Sequence, residues 1–497
     1  MSVISGRVPH RPFAAVLLLS VALAALAACT VGPNFTRPEL PKFATFGEEE
    51  PSLIELEKVP GELRRGVDLD WSIARAWWRR FGSETLNTMV ERAIAGNQDL
   101  AAAQSTLAQA QELAVAQGGS LYPQIGLSAG SGRQKYGQQF LGNAATFPPF
   151  TYFSLGPSIN YALDYTGGIA RSVEERRAQT DYQSYQQAAA YLALTGNVVM
   201  QALSIASARA QIATVEDILR QDRVNLTLVR SSYEAGAATR VDVLSAESQI
   251  ANDATLLPSL RQEQSVARHA LSILLGEFPA SWSAPEFDLN QFALPTVLPI
   301  SLPSELVHRR PDILAAEAQL HSATAAVGIA TSNLYPRIAL SASEGPESTQ
   351  FTGLFQTSSN AWSLIASITA PIFDGGTLRA QRRAAIDALH ARAYNYQQTV
   401  LRAFAQVADL LDALSHDIQE FDAQSRAQET AQANLRFAQE SYREGNVGIL
   451  AVLDAERLSQ QARLGYVRVQ ARRYQDLVQF FLALGGTTPD REFPQAQ

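Results

Sequence analysis

The segment Gly126-Leu127-Ser128-Ala129-Gly130 matches the G-x-S-x-G pattern in which hydrolases present a nucleophilic serine. That chemistry needs a strand turning sharply into a helix, so that the serine oxygen stands free beside a general base. Here the pattern lies in an alternating segment that runs on into a Gly- and Gln-rich stretch. A duplicate of the segment at 339–344 lacks the flanking glycines. His269, His308, His321, His390 and His416 are scattered, with no metal-ligand spacing such as H-E-x-x-H. There is no C-x-x-C pair and no phosphate-binding glycine loop. The chain reads as a non-enzyme without a cofactor or metal, and an esterase using Ser128 stands only as an alternative.

The lone cysteine, Cys29, is placed for a different chemistry. Arg7 and Arg11 precede an apolar run over 13–26, about 14 residues, too short to span a bilayer comfortably. The run ends in Leu26-Ala27-Ala28-Cys29, which resembles the lipobox of bacterial lipoproteins, where the Cys becomes the mature N-terminus and carries acyl chains. Several chains on one residue make a stable anchor, whereas one is marginal. Thr30 is not an acidic retention-type residue, which favours sorting to the outer membrane. A single Cys also excludes a disulfide within the subunit. Losing Arg7 and Arg11 with the leader takes the net charge from −8 to about −10, 38 basic against 48 acidic residues. That balance argues against nucleic acid as a partner, since clustered Lys and Arg supply most of that affinity. No other segment offers ~20 uninterrupted apolar residues, so no membrane-spanning helix is expected in the mature chain. If the chain crosses a membrane, it must do so as a β-barrel, because only helices and closed barrels satisfy their backbone in lipid.

The elements that must position any site come as two copies of one plan. Leu121-Tyr122-Pro123-Gln124-Ile125 recurs as Leu334-Tyr335-Pro336-Arg337-Ile338, and Tyr233-Glu234-Ala235-Gly236 as Tyr442-Arg443-Glu444-Gly445. Val243-Leu244-Ser245-Ala246-Glu247 matches Val452-Leu453-Asp454-Ala455-Glu456. Gly167-Gly168 matches Gly375-Gly376, and Leu275-Gly276 matches Leu484-Gly485. The offset stays between 208 and 213 residues and the order is kept, so the chain is a duplicated half-molecule and not a solenoid. Each copy opens on a helical stretch, 83–119 or 310–332. A strand pair follows: Ile125, Leu127 and Ala129 alternate with polar or small residues, as do Ile338, Leu340 and Ala342. Return strands are expected over 153–163 and 362–372, with connectors 130–151 and 343–360 as surface loops. Residues 158–257 and 372–488 contain no proline, so each can hold a long helix and its return. Tyr191, Val198, Ile205, Ile212, Leu219, Leu226 and Tyr233 recur every seven residues. Val400, Val407, Leu414, Phe421, Gln428, Leu435 and Tyr442 repeat the phase, with Phe404, Leu411 and Ile418 at the other seam position. Such spacing predicts coiled-coil packing over roughly 100 Å of helix. Many of the 46% hydrophobic residues are Ala, which suits close helix packing.

Four strands alone would leave two unpaired edges in lipid, at several kcal/mol per unsatisfied backbone group. The barrel must therefore be shared, and the sequence permits two or more chains. Cys29-Thr30-Val31-Gly32-Pro33-Asn34-Phe35 with Pro38, and Arg309-Arg310-Pro311-Asp312-Ile313 with Ala316, Glu317 and Leu320, are similar to the signatures of lipoprotein outer-membrane factors. The chain thus resembles the TolC-like outer-membrane factor family, including its NodT-type efflux lipoproteins, from residue 29 to about 486. The resemblance implies a mainly α-helical subunit contributing four strands to a shared twelve-stranded β-barrel, with an α-helical barrel below it, in a homotrimer. It implies an outer-membrane channel in a tripartite efflux or export system, docked to a periplasmic adaptor and an inner-membrane transporter. The resulting division is a signal peptide at 1–28, an N-terminal anchor and equatorial segment at 29–82, a first repeat at 83–276, an equatorial linker at 277–309, a second repeat at 310–486 and a tail at 487–497. Two turns, Gly236, Ala237, Ala238, Thr239 and Gly445, Asn446, Val447, Gly448, break the longest helices in corresponding places; glycine at a helix C-cap explains them as plain turns. In the family such tips contact the adaptor, and positions matching Tyr442 and Asp454 help hold the inner end shut. The chain departs from better-known members at Ala451, where they carry a second acidic residue, and at Val447, where some carry a basic one. That leaves one acidic ring, or, on the plain reading, Asp454 as a solvated helix carboxylate. A structural coiled-coil outer-membrane lipoprotein is a further alternative.

Overall fold

Punctuation by Gly, Pro and Asn sets where each element of this chain stops, and apolar period sets what it becomes. The computed structural model describes residues 30–39, 76–137, 148–294 and 307–485. The leader, Cys29 and the tail 487–497 lie outside the described residues. The first copy runs α1 (Glu84–Gly96), α2 (Gln98–Gly119), β1 (Gln124–Gln134), β2 (Phe150–Leu163), α3 (Gly168–Glu234), α4 (Arg240–Ala254) and α5 (Leu256–Leu274). The second runs α6 (Pro311–Ser332), β3 (Arg337–Ser348), β4 (Asn360–Thr369), α7 (Thr377–Arg443) and α8 (Ile449–Ala483). The chain is thus mainly helical with one small antiparallel sheet, in two matching halves.

Several boundaries differ from expectation, each for a local reason. The helix expected over 83–119 breaks at Asn97, whose side chain accepts from the Leu100 N–H at 2.9 Å and donates to the Leu274 carbonyl at 3.0 Å. A capping side chain of this kind satisfies backbone groups that a continuous helix would not leave open. The helical run of the first return does not end ahead of Pro258. It breaks at Thr255 and restarts as α5 with Pro258 in its first turn, where a missing N–H costs nothing. In the second copy the return, α8, is unbroken over 35 residues. The connector expected over 343–360 is shorter, because β3 continues to Ser348 and β4 begins at Asn360. At its other end β4 stops at Thr369, short of Ile372, since Pro371 has no N–H to give a ladder.

One compact unit comprises residues up to 37, 107–182 and 316–396, and contains the sheet. Its order is β1-β2-β3-β4, all antiparallel, so β1 and β4 are edges. Register places Ile125 opposite Ile159, Ile159 opposite Ala342, and Ala342 opposite Leu364. Since side chains alternate along a strand, one face collects Ile125, Leu127, Ala129, Leu155, Ile159, Leu163, Ile338, Leu340, Ala342, Trp362, Leu364 and Ile368. The other collects Gly126, Ser128, Ser154, Ser158, Asn160, Ser341, Ser343, Ser363 and Ser367. The apolar face is bare: Leu127 is 76% and Leu364 73% exposed. β2 and β3 approach closely at Gly156 and Gly345, where a Cβ on either would strike the other strand's backbone.

The second unit comprises 38–106, 183–315 and 397 onward, and holds the helical core. Val198, Ile205 and Leu219 on α3 and Val400, Val407 and Leu411 on α7 are buried, as their heptad positions require. Tyr233 departs from the pattern and is exposed, whereas its duplicate Tyr442 is half-buried. One window of α3 has mean hydropathy 1.4, apolar enough by composition to cross a membrane, yet 44% of it is buried. Val198, Val199, Ala202, Leu203, Ile205 and Ala206 fill this unit's core. Arg310 closes the far end of α8: its Nη1 donates to the Ala483 carbonyl at 2.8 Å and its Nη2 to Gln406 at 3.0 Å. A cation there meets the negative end of the helix dipole, which gives the Arg310-Pro311-Asp312 signature a structural role.

Candidate functional site

Both hairpin ends are built by the same backbone device. Ahead of the first turn, the Gly236 N–H bonds the Tyr233 carbonyl and the Ala237 N–H bonds Ser232, at 2.9 and 2.8 Å. Ahead of the second, Gly445 bonds Tyr442 and Asn446 bonds Ser441, at 3.0 and 2.8 Å. This is the Schellman pattern, and it needs a left-handed residue; Gly236 and Gly445 have φ of 77° and 78°. A Cβ added to either glycine would meet nothing within 4 Å, so conformation alone demands glycine there.

The restart of the helix differs between copies. Thr239 caps α4 through a reciprocal box with Asp242, whose carboxylate accepts from the Thr239 N–H at 2.7 Å. In the second copy Gly448 and Ala451 stand at those positions, and α8 begins with no side-chain cap. Asn446 instead donates to Glu444 at 2.9 Å, beside the turn. Val229, Val243, Ala246, Ile449 and Val452 form a buried cluster just behind both turns, with Leu226, Leu435, Ala438 and Tyr442 packed against it.

Tyr442 and Asp454 take different partners. The Tyr442 hydroxyl lies 3.2 Å from the Ser232 hydroxyl, tying α7 to α3 within one subunit. Asp454 is on the exposed side of α8 and accepts from Arg457 Nη2 at 2.8 Å, one turn on. Ser232 and Arg457 escape sequence reading because neither carries a periodic or motif signal. Ser128 lies on β1, which continues to Gln134, and its hydroxyl donates to the Gly156 carbonyl at 3.4 Å. The strand–turn–helix geometry of a nucleophile elbow is lacking.

Further along the same helices, three acidic residues are gathered inside the second unit. Asp222 on α3 accepts from Gln460 Nε2 at 2.7 Å, Asp253 on α4 accepts from Gln249 Nε2 at 2.7 Å, and Glu456 on α8 accepts from Asn225. Burial, with Asp253 adding to it against the Gln460 hydrogen bond, pushes Asp222 up to about 6. Burial and the nearby Asp222 and Asp253 push Glu456 up to about 7. Asp417 on α7 is likewise pushed up to about 7 by burial and by Asp476 on α8.

In the first unit, residues 30–37 are strapped to the ends of the helices. The Val31 N–H donates to the Thr166 carbonyl at 2.9 Å, Arg171 bonds Asn34, and Arg37 pairs with Glu317 at 2.7 Å. Phe35 stacks on His321 with ring centroids 4.4 Å apart, and His321 Nε2 lies 2.9 Å from Glu174. Burial alone would raise Glu174, but hydrogen bonds from Arg171 and His321 outweigh it and hold the carboxyl below its ordinary range. Asn34, Phe35 and Glu317, which carried the sequence resemblance, thus meet in one place.

Comparison with known proteins agrees with this architecture. The chain matches the family described as OEP, outer membrane efflux protein, over residues 89–277 and 302–486. It is 31% identical over 421 residues to the pyoverdine export outer membrane protein OpmQ of Pseudomonas aeruginosa, covering 84% of this chain and 88% of that one. It is 28% identical over 464 residues to the cation efflux system protein CusC of Escherichia coli K12, covering 93% and 97%. Among solved structures it is similar to the outer-membrane channel OprN, with TM-score 0.83 and 28% identity over 93% of this chain and all of that one.

Proposed function

The chain belongs to the outer membrane efflux protein family and is an outer-membrane channel subunit of a tripartite efflux system, and from that premise we propose how it builds and closes its duct. Three copies join their sheets edge to edge, β4 of one to β1 of the next, into a twelve-stranded barrel. Their helices form a tunnel that reaches a periplasmic adaptor and an inner-membrane transporter. The observation that carries this reading is the four-stranded sheet with one continuous bare apolar face and two unpaired edges. A sheet of that kind is stable in lipid only when its edges are paired. Gly236, Ala237, Ala238, Thr239, Gly445, Asn446, Val447 and Gly448 are the adaptor-contact tips, and Tyr442 with Asp454 closes the inner end. Cys29 anchors the subunit to the outer membrane by acyl chains, with most of the mass in the periplasm. The duplicated units are 83–276 and 310–486. The relatives are channel and export proteins, and this reading assigns the subunit no catalysis; energy for export comes from the transporter.

The purified protein should run as heat-labile trimers from outer-membrane fractions and conduct ions across a planar bilayer. Monomers without conductance would point instead to a coiled-coil lipoprotein.

A further inference from the structure

Three carboxyl groups from three helices meet in one layer of the second unit: Asp222 of α3, Asp253 of α4 and Glu456 of α8. The layer is held between two apolar ones. Toward the hairpin ends lies the cluster of Val229, Val243, Ala246, Ile449 and Val452; on the other side lies that of Val215, Leu219, Leu260 and Leu464. α7 reaches the first cluster with Leu435, Ala438 and Tyr442, and α5 reaches the second with Leu256, Leu257 and Leu260. Asp222 and Glu456 are 5% and 4% exposed.

The donors facing these carboxyls are neutral amides: Gln460 and Asn225 from α8 and α3, and Gln249 from α4. Among the described residues no hydrogen bond or ion pair from Arg, Lys or His to the three is recorded. The charged groups flanking them along the helices pair with one another: Arg463 with Asp217, Arg230 with Glu247, and Arg457 with Asp454. Within the layer Asp222 Oδ2 and Gln460 Oε1 have no hydrogen-bond partner. Protonation of Asp222 would turn this orphaned acceptor into a donor toward its neighbours in the layer. Without protons the layer holds like charges close together, two of them on buried side chains, where each unpaired buried charge is costly.

We propose that this layer is a proton-dependent latch: protonated, it packs α4 and α8 onto α3, and ionised, it lets these helices part behind the hairpin ends. The direction follows from linkage. Asp222 near 6 and Glu456 near 7 lie above the ordinary carboxylate values of about 4. The packed state therefore binds more protons than the opened one. Its extra stability is fully present below pH of about 4 and is lost as pH rises through about 6 to 7. The inference goes beyond the channel reading and does not rest on it, because helix packing is a property of each subunit whether or not it conducts.

Hydrogen–deuterium exchange on the full-length protein in detergent, at pH about 5.5 and about 8 with correction for intrinsic rates, tests the latch. Peptides over 219–229, 246–256 and 452–460 should lose protection by about tenfold or more at the higher pH. The double variant Asp222→Asn, Glu456→Gln should keep the low-pH protection at both values. Should that variant fold poorly, Glu456→Gln alone, equal in length and neutral, should remove most of the response. Equal wild-type protection at the two pH values overturns the latch, as does a response that survives in the variants. A response confined to 413–420 and 473–480 also overturns it, since that places the titration at Asp417.

Discussion

At Asp454 the neighbour that matters within the subunit is Arg457, one turn away on α8 and bonded to it at 2.8 Å. In the proposed trimer a ring of three Asp454 carboxylates would favour cations, but each would have Arg457 of its own chain beside it. The pair is exposed, with Asp454 63% accessible, so it contributes at most about 1 kcal/mol to folding. Changes at either residue should therefore act on selectivity and leave trimer stability nearly untouched. In the trimeric duct Asp454→Ala should weaken cation preference, and Arg457→Ala should strengthen it by baring the ring. Reversal potentials under a salt gradient read both, and an unchanged potential in Asp454→Ala returns the residue to the role of a solvated helix carboxylate. Tyr442 works differently, since its ring packs on the buried cluster and its hydroxyl meets Ser232. It joins helices within a subunit before any neighbour is considered.

Among the elements, β4 gives the sharpest test, because adjacent residues face opposite ways. Leu364 lies beside Ala342 on the apolar face, while the Ser363 hydroxyl is 2.8 Å from that of Ser343 on the polar one. Arg in place of Leu364 should cost about 2–4 kcal/mol if the side chain meets lipid near the midplane. Arg in place of Ser363 should be far milder if that side chain faces a watery interior. Yields of heat-labile trimer from the two variants measure the difference, and equal yields contradict the assigned faces. The hairpin ends carry an asymmetry of the same local kind. Thr239 and Asp242 close the first turn of α4 with a capping box, a feature worth about 1 kcal/mol, and Gly448 and Ala451 leave α8 without one.

At the scale of the whole molecule, the proposed acyl anchor and the proposed barrel should act separately. The strap of residues 30–37, held through Thr166, Arg171, His321 and Glu317, follows directly on Cys29. In the proposed lipoprotein this strap would set where the acyl chains begin, while the sheet supplies a membrane-compatible face of its own. Cys29→Ser should abolish palmitate labelling and leave uncleaved or mislocalised precursor. The fraction that reaches the outer membrane should still conduct. If the variant still takes up label, Cys29 is not the anchor.

Local signals made much of this protein legible from its residues alone. Alternation over Ile125, Leu127 and Ala129 and over Trp362, Leu364 and Ile368 marks strands because side chains alternate every residue. The repeat at an offset of about 210 residues marks the duplication. Gly236 and Gly445 mark the turns because a left-handed cap admits little else. Ends were less legible where a single side chain decides them, as Asn97 does between α1 and α2 and as Thr255 with Pro258 does between α4 and α5. What the sequence left undecided is which distant residues meet. Glu456 bonds Asn225 across 231 residues and Gln460 bonds Asp222 across 238. Heptad period says only that each helix has a buried seam. How those helices are rotated and in what register they pack is set by the whole core, and that register alone brings three carboxyls into one layer.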